Sequence, residues 1–497
     1  MQHFGEQYTT SVVHLLAACF LIAGIGGCDF LERDTSARLN PSAFYQTRND
    51  LEAGVAAAWS PVTRGRYRSF ASPTIVIPLM GGDDWTTEPS RRAPATIDRY
   101  EALPTNKFLA RNWNKSYRAF YRANTLLENL DSSPVQQEAK DQAAAQVRFL
   151  RGWLYFRLVR LFGPVPLKTT TEIDLSAGRA PVDSVYAQIV GDLTFAEENL
   201  PDSWSGAPAK PTSLAATALL GRVHLTMAGW PLKDEGHYAQ ARDKFRTVMN
   251  SGSFSLLEDF SALWQIENNW NDEIVFGLAL CQECNRPNML TGSTTAPLEE
   301  GGTGVGLAEV QFFNNFPQGE RKEATFHTTF NDGTDWQDGT LSHPHFAKWR
   351  SGTSLAGDGP NNPQSSRTIP IIRYAHVLLG FAEAQAMAEG GASTEAYAAI
   401  NAVRNRAGLP DLTSGLGQMA FRDSVIAERG WEFAGEFTRW HDLVRTEKVA
   451  EANTNEAPQD MDPLRDIKSI PKKNFYWLPI PQSEVDQAQN ITQNPGY

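Results

Sequence analysis

Apolar positions recur at helical spacing along most of this chain. The clearest run covers 135–162, where Val147, Leu150, Leu154, Leu158 and Leu161 follow at intervals of three and four. Gly163-Pro164 then stops it. Similar runs cover roughly 41–59, 108–130, 181–199, 212–229, 236–250, 370–389, 394–407 and 418–446. Within 181–250 three helices follow one another, broken at Leu200-Pro201 and Trp230-Pro231. Helix pairs of this length point to tetratricopeptide-like packing, although no strict repeat is visible. EIVFGLAL at 273–280 reads as a short strand. Between the periodic runs lie 60–107 and 281–369, rich in Gly, Pro and polar residues. Loops this long are either functional or unstructured. The expected fold is mostly α, with tetratricopeptide-like helix pairs, long irregular loops and a few short strands.

Composition sharpens this picture. The 497 residues are 41% hydrophobic and 10% aromatic, enough for a large core. Forty-five basic residues against 57 acidic ones give a net charge of −12. No Lys/Arg block appears, which argues against a nucleic-acid surface. SVVHLLAACFLIAGIGGC at 11–28 has the length of a signal segment and is short for a membrane span. Its IGGC end resembles the bacterial lipobox, in which the cysteine carries the lipid. The region before it departs from the usual pattern, with His3 and Glu6 and no Lys or Arg. The expectation is a signal peptide over 1–27, lipidation at Cys28 and a polar tether over 28–40. An ordinary cleaved secretory signal is the alternative. Cys19 lies within that segment, which leaves Cys281 and Cys284 in CQEC. A local disulfide, free thiols and zinc are all open there. Structural zinc needs four ligands, and His327, His343 and His345 show no finger-like spacing.

Three stretches carry candidate chemistry. In ERGWEFAGEFTRWHDLVR at 428–445, Glu428, Glu432 and Glu436 sit four apart and repel if stacked on one helix face. A di-iron bundle would need His where Arg439 stands. His441 and Asp442 are adjacent in sequence and do not face each other on a helix. The expectation is a structural, non-catalytic ion-pair network and no metal. Arg429 and Arg439 lie three residues from Glu432 and Glu436, and Arg404 and Arg406 lie on the preceding helix. Arginine suits this role because it pairs carboxylates through two donors.

GGDDWTTEPSRR at 81–92 places Trp85 beside Asp83, Asp84 and Arg91. An aromatic face with carboxylates and a guanidinium is what a sugar's C–H patches and hydroxyls require, and binding residues concentrate in loops. NDGTDWQDGT at 331–340 offers Trp336 as a second platform, and Trp349 follows as a third. Asp332, Asp335 and Asp338 also raise a calcium loop, without the alternation and closing Glu of an EF-hand. GGTGVG at 301–306 lacks the Lys-Ser/Thr ending of a phosphate loop and reads as a flexible connection.

NWNKSYRAFYRANTLLENL at 112–130, QVRFLRGWLYFRLVRLFGPVPL at 146–167 and YAQIVGDLTFAEENLP share an order with NDEIVFGLAL, YAHVLLGFAEA, INAVRNRAGLP, ERGWEFAGEFTRWHDLVR, WLPIP and ITQNPGY. In number and order these segments resemble the SusD/RagB family of outer-membrane nutrient-binding lipoproteins. The resemblance implies a SusD-like helical superhelix, with four tetratricopeptide-like pairs in an N-terminal region at 41–270. A more irregular RagB/SusD region at 271–497 would pack against them. It implies a lipid-anchored, surface-exposed binding protein of the outer membrane, without enzyme activity or cofactor. Such a protein acts as the lid of a SusC-like TonB-dependent transporter and captures glycans or, in some members, peptides. A tryptophan of the N-terminal region often contributes to the family's glycan platform. The rival from another class is a glycoside hydrolase using Asp83 and Asp84. Its two carboxyl groups must flank one bond, about 5 Å apart or more, which adjacent residues seldom achieve.

Overall fold

The run at 135–162 becomes the central helix of the molecule. The computed structural model describes residues 44–63, 73–284, 286–290, 294–350, 365–454 and 473–497. The expected signal segment, Cys28 and the tether lie outside the described residues. The long helices are α1 (Arg48–Thr63), α2 (Lys107–Asn129), α3 (Gln137–Phe162), α4 (Val182–Asn199), α5 (Ser213–Met227), α6 (His237–Asn250), α7 (Tyr374–Glu389), α8 (Thr394–Arg406) and α9 (Gln418–Glu432), with a short α10 (Arg439–Arg445). Local chemistry sets several of their starts. Asn106 caps α2 by accepting from the Phe108 N–H, Thr212 caps α5, and Ser393 caps α8. Gly163 ends α3 with φ 69°, and a side chain there would meet Trp477 at 2.6 Å.

Consecutive helices are neighbours in space, from α1 on α2 through to α5 on α6. The stack does not stop at residue 270. Helix α6 packs on α7, across the whole irregular insertion, and α7 holds α8 and α9. The superhelix therefore draws helices from both expected regions, and one buried apolar cluster runs through both. Buried polar groups tie the stack together. Arg151 of α3 makes two 2.7 Å bonds to Asp192 of α4 and one of 2.7 Å to Asn124 of α2.

Six strands form three two-stranded antiparallel ladders among the described residues. In chain order they are β1 (Trp85–Thr86), β2 (Ile274–Leu278), β3 (Leu307–Ala308), β4 (Phe326–His327), β5 (His345–Phe346) and β6 (Ile369–Arg373). β1 pairs with β3, β2 with β6, and β4 with β5. β6 occupies the start of the run expected as helix over 370–389. Its IPIIR sequence is β-branched and carries Pro370, so helix begins only at Tyr374.

The run expected as one helix over 418–446 also divides. Helix α9 ends at Glu432, and Gly435 (φ 77°) and Phe437 (φ 68°) turn the chain before α10. Cys281 and Cys284 are joined in a disulfide. Among the described residues no helix is long and apolar enough to cross a membrane.

Candidate functional site

The turn that interrupts the helix after Glu432 lets one charge cluster form in the interior. Glu428 meets Arg321 at 2.6 Å and Arg404 at 3.0 Å. Glu432 receives Arg406 at 2.6 Å, Arg373 at 2.8 Å and Arg321 at 3.1 Å. Glu436 pairs with Lys348 at 2.7 Å and Arg373 at 2.8 Å. Glu273 joins from the start of β2, bonded to Arg373 and, at 3.1 Å, to Arg406. Burial alone would raise the Glu432 carboxyl, but Arg406, Arg373 and Arg321 hold it down at about 2. These carboxylates are enclosed and matched by cations, so they are not placed to exchange protons with a substrate.

Two expected members lie elsewhere. Arg429 pairs with Asp442 at 2.8 Å, and Arg439 grips Asp83 with a 2.7 Å contact. Glu436 and Arg439 lose their helical offset because α9 ends at Glu432, whereas Arg429 and Glu432 keep it within α9 while Glu432 pairs instead with Arg406, Arg373 and Arg321. Asp442 also bonds Arg445 at 2.9 Å, and Arg445 continues to Glu383 at 2.6 Å. No pattern in the sequence points to Glu273, Arg321, Lys348 and Arg373, which come from strands and short elements far along the chain.

The tryptophans expected as sugar platforms are core residues. Trp85, Trp336 and Trp349 are 1%, 6% and 0% exposed, so none offers a face to a ligand in this conformation. Trp85 packs on Phe346 with ring centroids 4.3 Å apart, and a side chain at Gly306 would strike it at 2.6 Å. The glycine-rich loop expected to be flexible is thus a close-fitting cover over Trp85. Trp336 sits with Val310, Phe330 and Phe313 in a small separate cluster. Trp349 stacks on Phe437 and donates to the Gly435 carbonyl at 3.1 Å.

The polar partners scatter too. Asp84 is buried and accepts from the Gly435 N–H at 3.2 Å. Burial, reinforced by the charge of Asp83, pushes its carboxyl up to about 7. An enclosed Asp84 cannot flank a glycosidic bond together with Asp83. Arg91 pairs with Glu88 at 3.3 Å. Asp332 and Asp335 accept from the N–H groups of Thr334 and Gln337, which closes turns. Among the described residues no group of three His, Cys, Asp or Glu side chains converges as a metal site would require.

Recesses of useful size lie elsewhere. A groove of about 690 Å³ runs along α1, lined by Tyr45, Ser60, Thr63, Tyr121, Arg122 and Arg286. Across α1 lies a second hollow of about 200 Å³, with Glu52, Trp59, Gln146, Lys210 and again Thr63 and Arg286. Tyr121 is 55% exposed, an unusual position for a large aromatic. Arg286 is set by paired backbone bonds to Cys281 of 2.8 and 2.9 Å, so the disulfide loop presents its guanidinium to both hollows. The first groove falls in the size range of small-ligand sites, and its rim mixes aromatic faces, hydroxyls and guanidiniums. Tyr121 had one legible signal: it falls off the apolar stripe of α2 formed by Leu109, Trp113, Phe120 and Leu126. A smaller cleft of about 210 Å³ holds the Asp83–Arg439 pair with Gln311, Asn315, Trp431 and Asn453. Of the residues expected to touch ligand, Asp83 reaches a recess.

The family profile described as "SusD family" matches residues 316–497, and that described as "Starch-binding associating with outer membrane" matches residues 86–225. The SusD-like protein P2 of Formosa agariphila is 27% identical over 96% of this chain and 98% of its own length. This chain belongs to the SusD family. A SusD-like protein of Bacteroides ovatus is 26% identical over 88% of this chain and 82% of its own length. Among solved structures, a SusD homolog from Bacteroides thetaiotaomicron superposes with a TM-score of 0.79 at 22% identity, covering 93% of this chain and 100% of that one. A protein described as a laminarin binding SusD-like protein superposes with a TM-score of 0.74 at 25% identity, covering 91% and 100%. The SusD superhelix is thus the fold of this chain, and the outer membrane is the setting its family description gives.

Proposed function

We propose that this SusD-family protein captures a glycan at the cell surface and acts as the lid of a SusC-like TonB-dependent transporter, anchored by lipid at Cys28 and without enzyme activity. The observation that carries the reading is full-length likeness to a laminarin-binding SusD-like protein, joined to a groove with sugar-compatible chemistry. The glycan lies along α1. Tyr121 supplies an aromatic face, and Arg122, Arg286, Ser60 and Thr63 supply hydrogen bonds to hydroxyls.

The test is native affinity electrophoresis of the chain from Asp29 onward through gels holding laminarin, starch, mannan or pectin, with product analysis of the same mixtures. Retardation by one glycan, lost in Tyr121→Ala and weakened in Arg286→Ala, is the expected result. Retardation unchanged in both variants would move the site to the Asp83–Arg439 cleft. Released sugars would make the protein a hydrolase. No retardation in any gel would favour a peptide ligand.

A further inference from the structure

We propose that the recess between α3, α5 and α10 is a binding site for a small monovalent anion, with chloride as the occupant. It is lined by Arg157 and Arg160 of α3, Arg222 of α5 and His441 of α10, closed by Trp153, Phe156 and Phe437. The space is about 30 Å³, room for one atom-sized ligand and too small for a sugar.

Arg160 and Arg222 bring charge to the recess that no direct ion pair among the described residues meets, and Asp442 acts on both only from beyond contact distance. Arg160 donates to the Phe156 carbonyl at 3.0 Å and lies over the Phe156 ring at 3.7 Å. Arg222 donates to the Ile371 carbonyl at 2.7 Å. Among the described residues neither Arg160 nor Arg222 pairs with a carboxylate. Arg157 is buried beside them and donates to the Asn112 side chain at 3.0 Å. The carboxylate lining the recess is Glu436, which Lys348 and Arg373 already hold. Asp442, the next nearest, is taken by Arg429 and Arg445. Guanidiniums gathered in a partly dehydrated hollow repel one another, and charges removed from water are normally paired.

His441 reports the same field. Burial comes first, and then Arg160, Arg157 and Arg222, in driving its imidazole well below its usual value. A neutral imidazole adds no charge to the hollow, and among the described residues Arg160 and Arg222 have no counterion in direct contact. One halide bonded by guanidinium N–H groups supplies it. Its place beside Glu436, Phe437 and His441 links it to the turn between α9 and α10, so occupancy would fix that turn against α3 and α5.

The experiment is twofold and uses the intact protein. Crystals soaked in sodium bromide are expected to show an anomalous peak among Arg157, Arg160 and Arg222. The thermal midpoint is expected to be higher in sodium chloride than in sodium gluconate at equal ionic strength, by about 2 °C or more. Arg222→Gln and Arg160→Gln are expected to remove that difference. The absence of either the peak or the anion-specific shift overturns the proposal, as does a shift that survives in both variants. Should the variants fail to fold, the two measurements on the unaltered protein still decide it.

Discussion

Glu432 takes three guanidiniums on one buried carboxylate, and its value to the fold depends on all of them staying matched. Removing it leaves Arg321, Arg373 and Arg406 each one carboxylate short in the interior. Glu432→Ala is therefore expected to lower unfolding free energy by about 3–5 kcal/mol, the usual cost of breaking a buried ion pair. Urea denaturation at pH 7 checks it, and an unchanged midpoint would mean the network carries no stability. Acid should attack the same groups. Cations hold Glu432 and Asp442 at about 2, below the values of an unfolded chain. Their stabilising effect is complete above about pH 4 and fades as pH falls toward 2. Asp84 behaves in the opposite sense. With its folded value at about 7, the native state keeps a proton that the unfolded chain releases near 4. Stability should therefore decline as pH rises from about 4 to about 7. Asp84→Asn keeps an acceptor for the Gly435 N–H and should flatten that decline. Denaturation midpoints of both proteins at pH 5 and pH 8 test it, and parallel pH profiles would sink the assignment.

At the scale of elements, the turn between α9 and α10 decides where the charged groups go. It works because Gly435 occupies φ 77° against the ring of Phe346, where a side chain would approach to 2.7 Å. Gly435→Ala should destabilise the fold by more than about 1 kcal/mol, from strain and overlap together. Gly191, inside α4 with open space around it, gives the contrary case. Gly191→Ala should stabilise by about 0.5–1 kcal/mol through helix propensity. Thermal melts showing the same sign for both would contradict this reading of the turn. The turn also shows where the sequence stopped being legible. Ile426, Phe433, Phe437, Trp440 and Val444 keep helical spacing straight through it, so periodicity alone continues the helix. Gly435 was the visible warning. Periodicity located the long helices because a helix buries a stripe that its own sequence specifies. It could not find Arg373 or Lys348 as partners of Glu436, since such pairs join residues far apart in the chain. The loop tryptophans misled for a related reason. Polar neighbours such as Asp83 and Asp84 made Trp85 look exposed, yet Gly306, more than two hundred residues on, lets backbone close over it.

For the whole molecule, the open question of physics is what keeps it at a membrane. The net charge is −12, and the described residues hold no membrane-crossing helix. A net charge of this sign gives the chain as a whole no attraction to an anionic lipid surface. We propose protein contact with a transporter barrel or acyl chains on Cys28 as the source of attachment. One acyl chain gives only marginal binding, whereas two or more give stable anchoring. The expectation is that Cys28→Ser shifts the chain from the membrane pellet to the soluble fraction and abolishes incorporation of a labelled fatty acid. Loss of the label with the chain still in the pellet after a high-salt wash would assign retention to the barrel instead. A label that persists in the Cys28→Ser variant would remove Cys28 from the anchor altogether.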